Sequence, residues 1–175
     1  ESDQLIRTFN AILMISRLEA GNATEMSASV DPGEIVRDVT ELYEALAEER
    51  GVEMIVETES VPAIRANREL LGQALSNVVD NAIKYSVESP SPRVKVAVAR
   101  KGEEVILTVS DNGPGIDPAL REHIFEPFVS SKKNGQGLGL ALVSKLVRDM
   151  DGRIGHERDE AAGWTHFRVH LPRAK

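Results

Sequence analysis

The stretch Leu71–Ser86, LGQALSNVVDNAIKYS, decides the fold because, when it is arranged as a helix, it has two chemically different faces. At 100° per residue the apolar side chains share one face; they are Leu71, Leu75, Val78 and Ala82. The polar stripe consists of Gln73, Asn77, Asn81 and Lys84. We therefore predict a helix that borders a core on one side and a polar environment on the other.

The two asparagines of this stripe are unfavourable for the helix itself, because asparagine in a helix interior lowers helix stability by roughly half a kcal/mol relative to alanine. Their presence therefore indicates a role other than helix formation. Amide oxygens are hard ligands of the kind that Mg²⁺ prefers, and Lys84 lies close enough along the helix to meet phosphate oxygens. The alternative is a solvated helix face. The stripe alone does not distinguish the two interpretations.

Upstream of this helix the sequence predicts two further helices and short strands. Asp31–Pro32 is typical of an N-cap followed by proline at the first helical position, and it predicts a helix to about Arg50. Val52–Glu57 alternates as a strand does, the following segment is predicted to be a connection, and Asn67 is expected to cap the long helix. Near the start, apolar residues from Leu5 onward fall on one helical face, which suits either an ordinary packed helix or one arm of a bundle.

Downstream, RVKVAVAR and VILTVS are predicted to form a hairpin around the turn KGEE. A long glycine- and proline-rich loop follows, then a helix over Leu138–Met150 that Gly152 is expected to cap, then a final pair of strands. This order of elements favours an α/β fold, a two-layer α/β sandwich in which helices pack on one face of a mixed sheet.

Composition narrows the function classes. The 175 residues are 41% hydrophobic and carry a formal net charge of −7, so nucleic acid and anionic lipid are predicted not to bind, and any phosphate needs a local site. The absence of cysteine excludes disulfides and thiolate chemistry and suits a reducing compartment, with the cytoplasm as the default. No apolar run is long enough for a membrane helix, and the opening ESDQLIRTFN suggests a piece of a longer protein.

The glycines of Asn134–Leu142, NGQGLGLAL, fit neither of two common nucleotide motifs. A P-loop requires a lysine and a hydroxyl after the last glycine, and a dinucleotide fingerprint requires G-x-G-x-x-G directly after a strand. Glycines before a helix still let backbone N–H groups approach an anion at a helix N-terminus. Phosphate binding and a flexible hinge both remain open for this segment.

The stretch Asp111–Ile116, DNGPGI, follows a predicted strand that ends at Ser110. An ionised carboxylate only accepts hydrogen bonds, so the exocyclic amine of adenine is a natural donor to Asp111. Asn-Gly and Pro-Gly are also ordinary turn dipeptides, and that interpretation is sufficient for this stretch alone.

Taken together and in this order, the motifs resemble the catalytic and ATP-binding domain of bacterial sensor histidine kinases, a branch of the GHKL ATPases with the Bergerat fold. NVVDNAIKYS resembles the N box, DNGPGI the first glycine box, FEPF the phenylalanine box and GQGLGL the second glycine box. FNAILMISRLEAG resembles the end of a dimerisation and phosphotransfer helix. The resemblance implies residues 1–21 in that helix, a linker at 22–27, and the catalytic domain over 28–175.

The resemblance also implies ATP and Mg²⁺ as cofactors and assigns roles to residues. Asn77, Asn81 and Lys84 are expected to act on the phosphates, with Asn81 and then Asn77 as the metal ligands. Asp111 is expected to accept from adenine, and Ile116 to Asn134 to form a mobile ATP lid that Phe125 and Phe128 anchor. The expected nucleotide contacts are Asn77, Asn81, Lys84, Tyr85, Asp111, Gly113, Gly115, Ile116, Phe128, Gly135, Gly137, Leu138 and Gly139.

Related ATPases such as gyrase have a hydrolytic glutamate where this chain has Asn77, which implies a kinase with slow hydrolysis. The implied partners are a phosphotransfer helix of a homodimeric parent and a response-regulator receiver domain; an inner-membrane anchor of the parent is left open, and this fragment is not expected to touch one. None of the four histidines, His123, His156, His166 and His170, lies in a segment resembling an acceptor helix. A non-catalytic ATP-gated switch and a serine-directed kinase of the anti-sigma type remain the alternatives.

Overall fold

The computed structural model describes residues 28–126 and 139–174. The helices of this part are α1 (Pro32–Glu49), α2 (Arg68–Ser86) and α3 (Gly139–Asp149). Its strands are β1 (Ala28–Val30), β2 (Glu53–Thr58), β3 (Ile64–Ala66), β4 (Arg93–Lys101), β5 (Glu104–Asp111), β6 (Arg153–Asp159) and β7 (Trp164–Pro172).

Five of these strands form one mixed sheet in the order β2-β4-β5-β7-β6. The β2–β4 pair is parallel and the other three pairs are antiparallel. The strands β1 and β3 form a separate antiparallel pair. Helices α1, α2 and α3 pack on one face of the sheet, so the predicted two-layer α/β sandwich is confirmed.

The core lies between the helices and the inner face of the sheet. Along β4, β5 and β7 every second side chain is buried, as expected for strands with one covered face. The predicted apolar face of α2 is buried against them, with Leu71 2% and Val78 3% exposed. Burying a leucine or valine side chain contributes about 1.5–3 kcal/mol, so this contact fixes α2 on the sheet.

Both predicted helix N-caps are confirmed. The Asp31 carboxylate accepts from the Gly33 N–H at 2.9 Å, and the Asn67 amide oxygen accepts from the Leu70 N–H at 3.1 Å. Each bond satisfies one of the N–H groups that a first helical turn leaves without a partner. At the other end of α1, Gly51 takes the left-handed conformation with φ +69° and closes the helix.

The predicted cap of α3 is wrong by one residue. Asp151, with φ 60°, occupies the left-handed position, and the Gly152 N–H then bonds to the Val147 carbonyl at 2.9 Å. This is the pattern of a Schellman motif, in which the residue after the left-handed one makes the longer bond. Gly152 is required for another reason, since a Cβ there would collide with the His170 carbonyl oxygen.

The segment before Asn67, predicted as a connection, contains the short strand β3. Ile64 pairs with Val30 of β1 and also bridges to Arg173, so this strand ties both ends of the described domain together. Three residues are too few to display an alternating pattern, which is why only the partner strands reveal it. Likewise, β5 extends one residue beyond the predicted Ser110 and includes Asp111.

The outer face of the sheet carries a histidine that should make stability depend on pH. The Ser110 hydroxyl and His166 Nδ1 are 2.6 Å apart, and burial, followed by the charge of Arg168, lowers the pKa of His166. The unfolded chain, with a histidine pKa of about 6.5, binds the proton more readily. We expect the free energy of unfolding to fall as pH drops from above the unfolded pKa towards the lower folded value.

Urea denaturation at a series of pH values on either side of this range tests the expectation. His170 has a pKa lowered by burial and by Arg153, so His166→Gln should reduce the pH dependence and not remove it. Equal slopes for His166→Gln and the unmodified chain would contradict the assignment.

Candidate functional site

The polar stripe of α2 faces the start of α3. Asn77 is half-buried, and a Cβ built on Gly139 would lie 3.8 Å from the Asn77 Cβ and Cγ atoms. Gly139 is the first residue of α3 in the part of the chain that the structure describes, so this end of the helix lies beside the amide of Asn77. Two of the sequence motifs thus meet at one place.

The C-terminal end of the same stripe meets the turn that follows β5. A Cβ on Gly113 would lie 2.5 Å from the carbonyl oxygen of Tyr85, closer than real Cβ atoms approach a main-chain oxygen. Only glycine allows the two backbones to come this close. The residues from Asn77 to Tyr85 are therefore bordered by Gly139 near one end and by Gly113 at the other.

Asp111 ends β5 on the inner face of the sheet and is only 3% exposed. Its strand neighbours are Val94 on β4 and Thr165 on β7, and its Oδ1 accepts from the Gly113 N–H at 3.0 Å. A buried carboxylate is costly unless hydrogen bonds compensate it. Its fixed orientation makes it a defined acceptor at the point where α2 and the turn meet.

Asn112 holds the outer side of this turn. Its Oδ1 accepts from the Arg93 N–H at 2.8 Å, and its Nδ2 donates to the Ser91 carbonyl at 2.7 Å. The amide therefore ties the end of β5 to the segment that leads into β4. This role is structural, and it leaves Asp111 as the side chain of the pair that faces the helices.

Arg158 on β6 is a site residue that the sequence did not reveal. Its Nη1 donates to the Gly113 carbonyl and to Thr165 Oγ1, both at 2.9 Å. Gly115 has φ +90°, and a Cβ there would lie 3.2 Å from Arg158 Nε. The alternation of β6 predicts that Arg158 lies on the inner face of the sheet. It does not predict that the side chain contacts this turn.

Lys84 is engaged by a neighbour on its own helix. Its Nζ lies 2.7 Å from Asp80 Oδ2, in an ion pair one turn apart with both side chains largely buried. The carboxylate-to-lysine spacing of four residues is visible in NVVDNAIK and could have revealed Asp80. Asp80 therefore fixes the direction of the lysine side chain at the polar stripe.

The first part of the predicted lid is held against the sheet. Phe125 packs edge-on to Phe167, with ring centroids 6.4 Å apart, and also contacts the His156 ring. Ile124 is buried and Ile116 packs partly against the core. The remaining predicted contacts lie outside the described residues; they are Phe128, Gly135, Gly137 and Leu138.

All four histidines are described, and each lies outside the helices. His123 falls in the turns after Asp117, His156 lies on β6, and His166 and His170 lie on β7. Within residues 28–126 and 139–174, no helix is long and apolar enough to cross a membrane.

The residues of the stripe suit a Mg²⁺ ion bound through phosphates. Amide oxygens such as those of Asn77 and Asn81 are hard donors, and Mg²⁺ commonly keeps waters and takes few protein ligands beside substrate phosphates. In the described part, no group of three or more histidine, aspartate or glutamate side chains could form a cage for a cation. Asn77 and Asn81 are the amides of the stripe that could hold such an ion beside the phosphates of a bound nucleotide.

Known proteins that resemble this chain identify its family. Residues 66–175 match the family of histidine kinase-, DNA gyrase B- and HSP90-like ATPases. The chain is 39% identical over 130 residues to the sensory histidine kinase/phosphatase NtrB of Rhizobium leguminosarum bv. phaseoli, covering 66% of this chain and 33% of NtrB. It thus spans about a third or less of the length of such curated relatives.

Two solved structures share the fold at a sequence identity of 28% and 34%. The catalytic domain of histidine kinase ThkA has a TM-score of 0.75 at 28% identity, covering 84% of this chain and 95% of that domain. Full-length ShkA, crystallised with AMPPNP, has a TM-score of 0.82 at 34% identity, covering 99% of this chain and 36% of ShkA. On the strength of the family match and these neighbours, the chain belongs to the histidine kinase-, DNA gyrase B- and HSP90-like ATPase family and is homologous to the catalytic domains of sensor histidine kinases.

Proposed function

We propose that this chain binds Mg-ATP and, within a longer parent protein, transfers the γ-phosphoryl group to a histidine of a dimerisation helix. The phosphoryl group would then pass to the receiver domain of a response regulator. The observation that carries the proposal is the position of the polar stripe of α2 between Gly113 and Gly139. One end of the stripe thereby offers a place for adenine and the other a place for phosphates.

Each end of the stripe suits one part of the nucleotide. Asp111 is a fixed acceptor for the adenine amine, and the close contact of Gly113 with Tyr85 brings its turn to the C-terminal end of the stripe. The N-terminus of the 11-residue helix α3 favours phosphate through its N–H groups and dipole. Asn77 and Asn81 would hold Mg²⁺, which neutralises charge on the phosphates when it is bound.

Catalysis by this domain would consist of positioning and charge neutralisation, since phosphoryl transfer needs little covalent chemistry from the protein. The chain has Asn77 where hydrolytic relatives carry a glutamate, and the Asp80 carboxylate on the same helix is paired with Lys84. A general base for water is therefore lacking at the stripe, and hydrolysis of ATP should be slow compared with transfer to an imidazole.

Calorimetry with ATP in the presence of Mg²⁺ or EDTA tests nucleotide binding. Transfer is tested with γ-labelled ATP and a separately produced acceptor-helix bundle of the parent, and acid-labile, alkali-stable label identifies phosphohistidine. Saturable binding without transfer would favour the ATP-gated switch, and acid-stable phosphoserine would favour the serine-directed kinase. Failure to bind ATP would overturn the proposal.

Asn81→Ala should remove most of the contribution of Mg²⁺ to ATP binding. The affinity measured with Mg²⁺ should fall roughly tenfold, while the affinity in EDTA should change little, because only the metal contact is lost. Titration calorimetry in both conditions gives the two values for each variant.

Gln73→Ala is the matched control, because Gln73 is a half-buried amide on the same stripe two turns earlier. It should preserve the Mg²⁺ dependence. An Asn81→Ala variant that retains the full dependence would assign the metal to other ligands.

The domain organisation is part of the same proposal. We place residues 1–21 in a phosphotransfer helix, 22–27 in a linker and 28–175 in the catalytic domain, in a homodimeric parent. The negative net charge supports a domain that binds neither nucleic acid nor anionic membrane surfaces, as expected for a catalytic domain on the cytoplasmic side.

A further inference from the structure

Arg158 belongs to the same row of the sheet as the candidate adenine acceptor. In the strand register, Asp111 on β5 is opposite Thr165 on β7, and Thr165 is opposite Arg158 on β6. All three side chains point to the inner face that the helices cover, and Thr165 is 2% exposed. The row thus leads from the edge strand β6 to Asp111.

One guanidinium nitrogen joins this row to the turn after β5. Arg158 Nη1 donates to the Gly113 carbonyl and to Thr165 Oγ1, and the arginine side chain is only 16% exposed. Hydrogen bonds from a charged donor are roughly twice as strong as neutral ones, and those of a buried side chain are little weakened by solvent. The turn is therefore fastened to β6 and β7 by a single side chain.

Gly115 makes room for this contact. Its φ of +90° suits glycine, and a Cβ there would lie 3.2–3.3 Å from Nε, Cδ and Cζ of Arg158. Arg158 Nε is buried and makes no hydrogen bond with the described residues, and the Glu160 carboxylate balances its charge at 3.7 Å. The arginine thus occupies the space that a side chain at position 115 would fill.

We propose that Arg158 is a positioning residue that sets the base specificity of the nucleotide pocket, an inference that rests on the proposed function. Gly113 is held on both sides: its N–H donates to Asp111 Oδ1 and its carbonyl accepts from Arg158. The N–H lies in the peptide before Gly113 and the carbonyl in the peptide after it, so Arg158 holds the residue whose N–H directs the Asp111 carboxylate. A correctly directed carboxylate accepts from the 6-amine of adenine and repels the 6-oxo group of hypoxanthine or guanine.

The test compares the Kd values of ATP and ITP, which differ at the 6-position of the purine. In Arg158→Met, which keeps an unbranched apolar stem and removes the donors, the preference for ATP should fall about tenfold. Arg168→Met is the matched control, since Arg168 lies on the outer face and pairs with Glu157. It should retain the preference of the unmodified chain.

A merely structural role would lower the thermal midpoint and leave the ratio of the two Kd values unchanged. Such an unchanged ratio in folded Arg158→Met, with normal ATP binding by the unmodified chain, would overturn this inference alone. If Arg158→Met does not fold, Arg158→Lys, which keeps the charge but not the planar fork, decides by the same ratio. An unmodified chain that binds no ATP would overturn the proposed function and this inference with it.

Discussion

Replacing Asp111 with asparagine is expected to weaken ATP binding severely while leaving the fold nearly as stable as before. The side-chain oxygen of the introduced amide can still accept from the Gly113 N–H, the bond that Asp111 Oδ1 makes in the structure at 3.0 Å. Its NH₂ group, however, would present a donor to the donor amine of adenine. A buried polar site left with such a mismatch should weaken binding by at least about a hundredfold.

Asp111→Ala separates the two roles of this side chain. It removes the acceptor for adenine and also the buried partner of the Gly113 N–H, which should lower the free energy of unfolding by about 1–3 kcal/mol. Calorimetry with ATP and urea denaturation measure the two effects. Asp117→Asn is the control, because Asp117 is an exposed carboxylate of the same segment whose Oδ1 accepts from the Ala119 N–H in a turn.

Asp117→Asn is expected to bind ATP as tightly as the unmodified chain does. Both Asp111 variants are expected to bind ATP far more weakly. Asp111→Asn that binds ATP as tightly as the unmodified chain would show that the carboxylate does not recognise the base. In that case the acceptor would have to be sought elsewhere along the polar stripe, and the burial of Asp111 would have a purely structural explanation.

The parts of the fold that depend on residues adjacent in the sequence could be predicted from it. The caps at Asp31 and Asn67 and the apolar face of α2 each follow from a few adjacent positions, and the structure has them as expected. The strand β3 could not be predicted, because three residues show no period and only pairing with β1 defines it.

Some residues of the candidate site could likewise be predicted from the sequence, and others could not. The motifs around Asn77 and Asp111 are continuous in sequence, so their residues could be named before their contacts were known. Arg158 is separated from Gly113 by 45 positions, and its contact depends on the register of β6 against β7 and on the missing side chain at Gly115. A residue that reaches a site through the register of an edge strand has no local sequence signal.

Adding one methyl group at Gly113 is expected to disrupt both the fold near the site and ATP binding. The added Cβ would lie 2.5 Å from the Tyr85 carbonyl oxygen and 2.8 Å from its carbon, and main-chain atoms at the end of α2 cannot move aside as a flexible side chain can. Overpacking of this kind costs about 1–3 kcal/mol. Gly113 is not among the glycines with positive φ, so the cost arises from this contact and not from backbone strain.

Gly72→Ala is the control, since Gly72 lies in the same helix as Tyr85 with nothing within 4 Å of an added Cβ. In a helix interior alanine is favoured over glycine, so this variant should gain roughly 0.5–1 kcal/mol and bind ATP normally. Urea denaturation and calorimetry on both variants measure the contrast. Equal stability of Gly113→Ala and the unmodified chain would mean that the turn does not lie against Tyr85, and the two ends of the polar stripe would then no longer define one pocket.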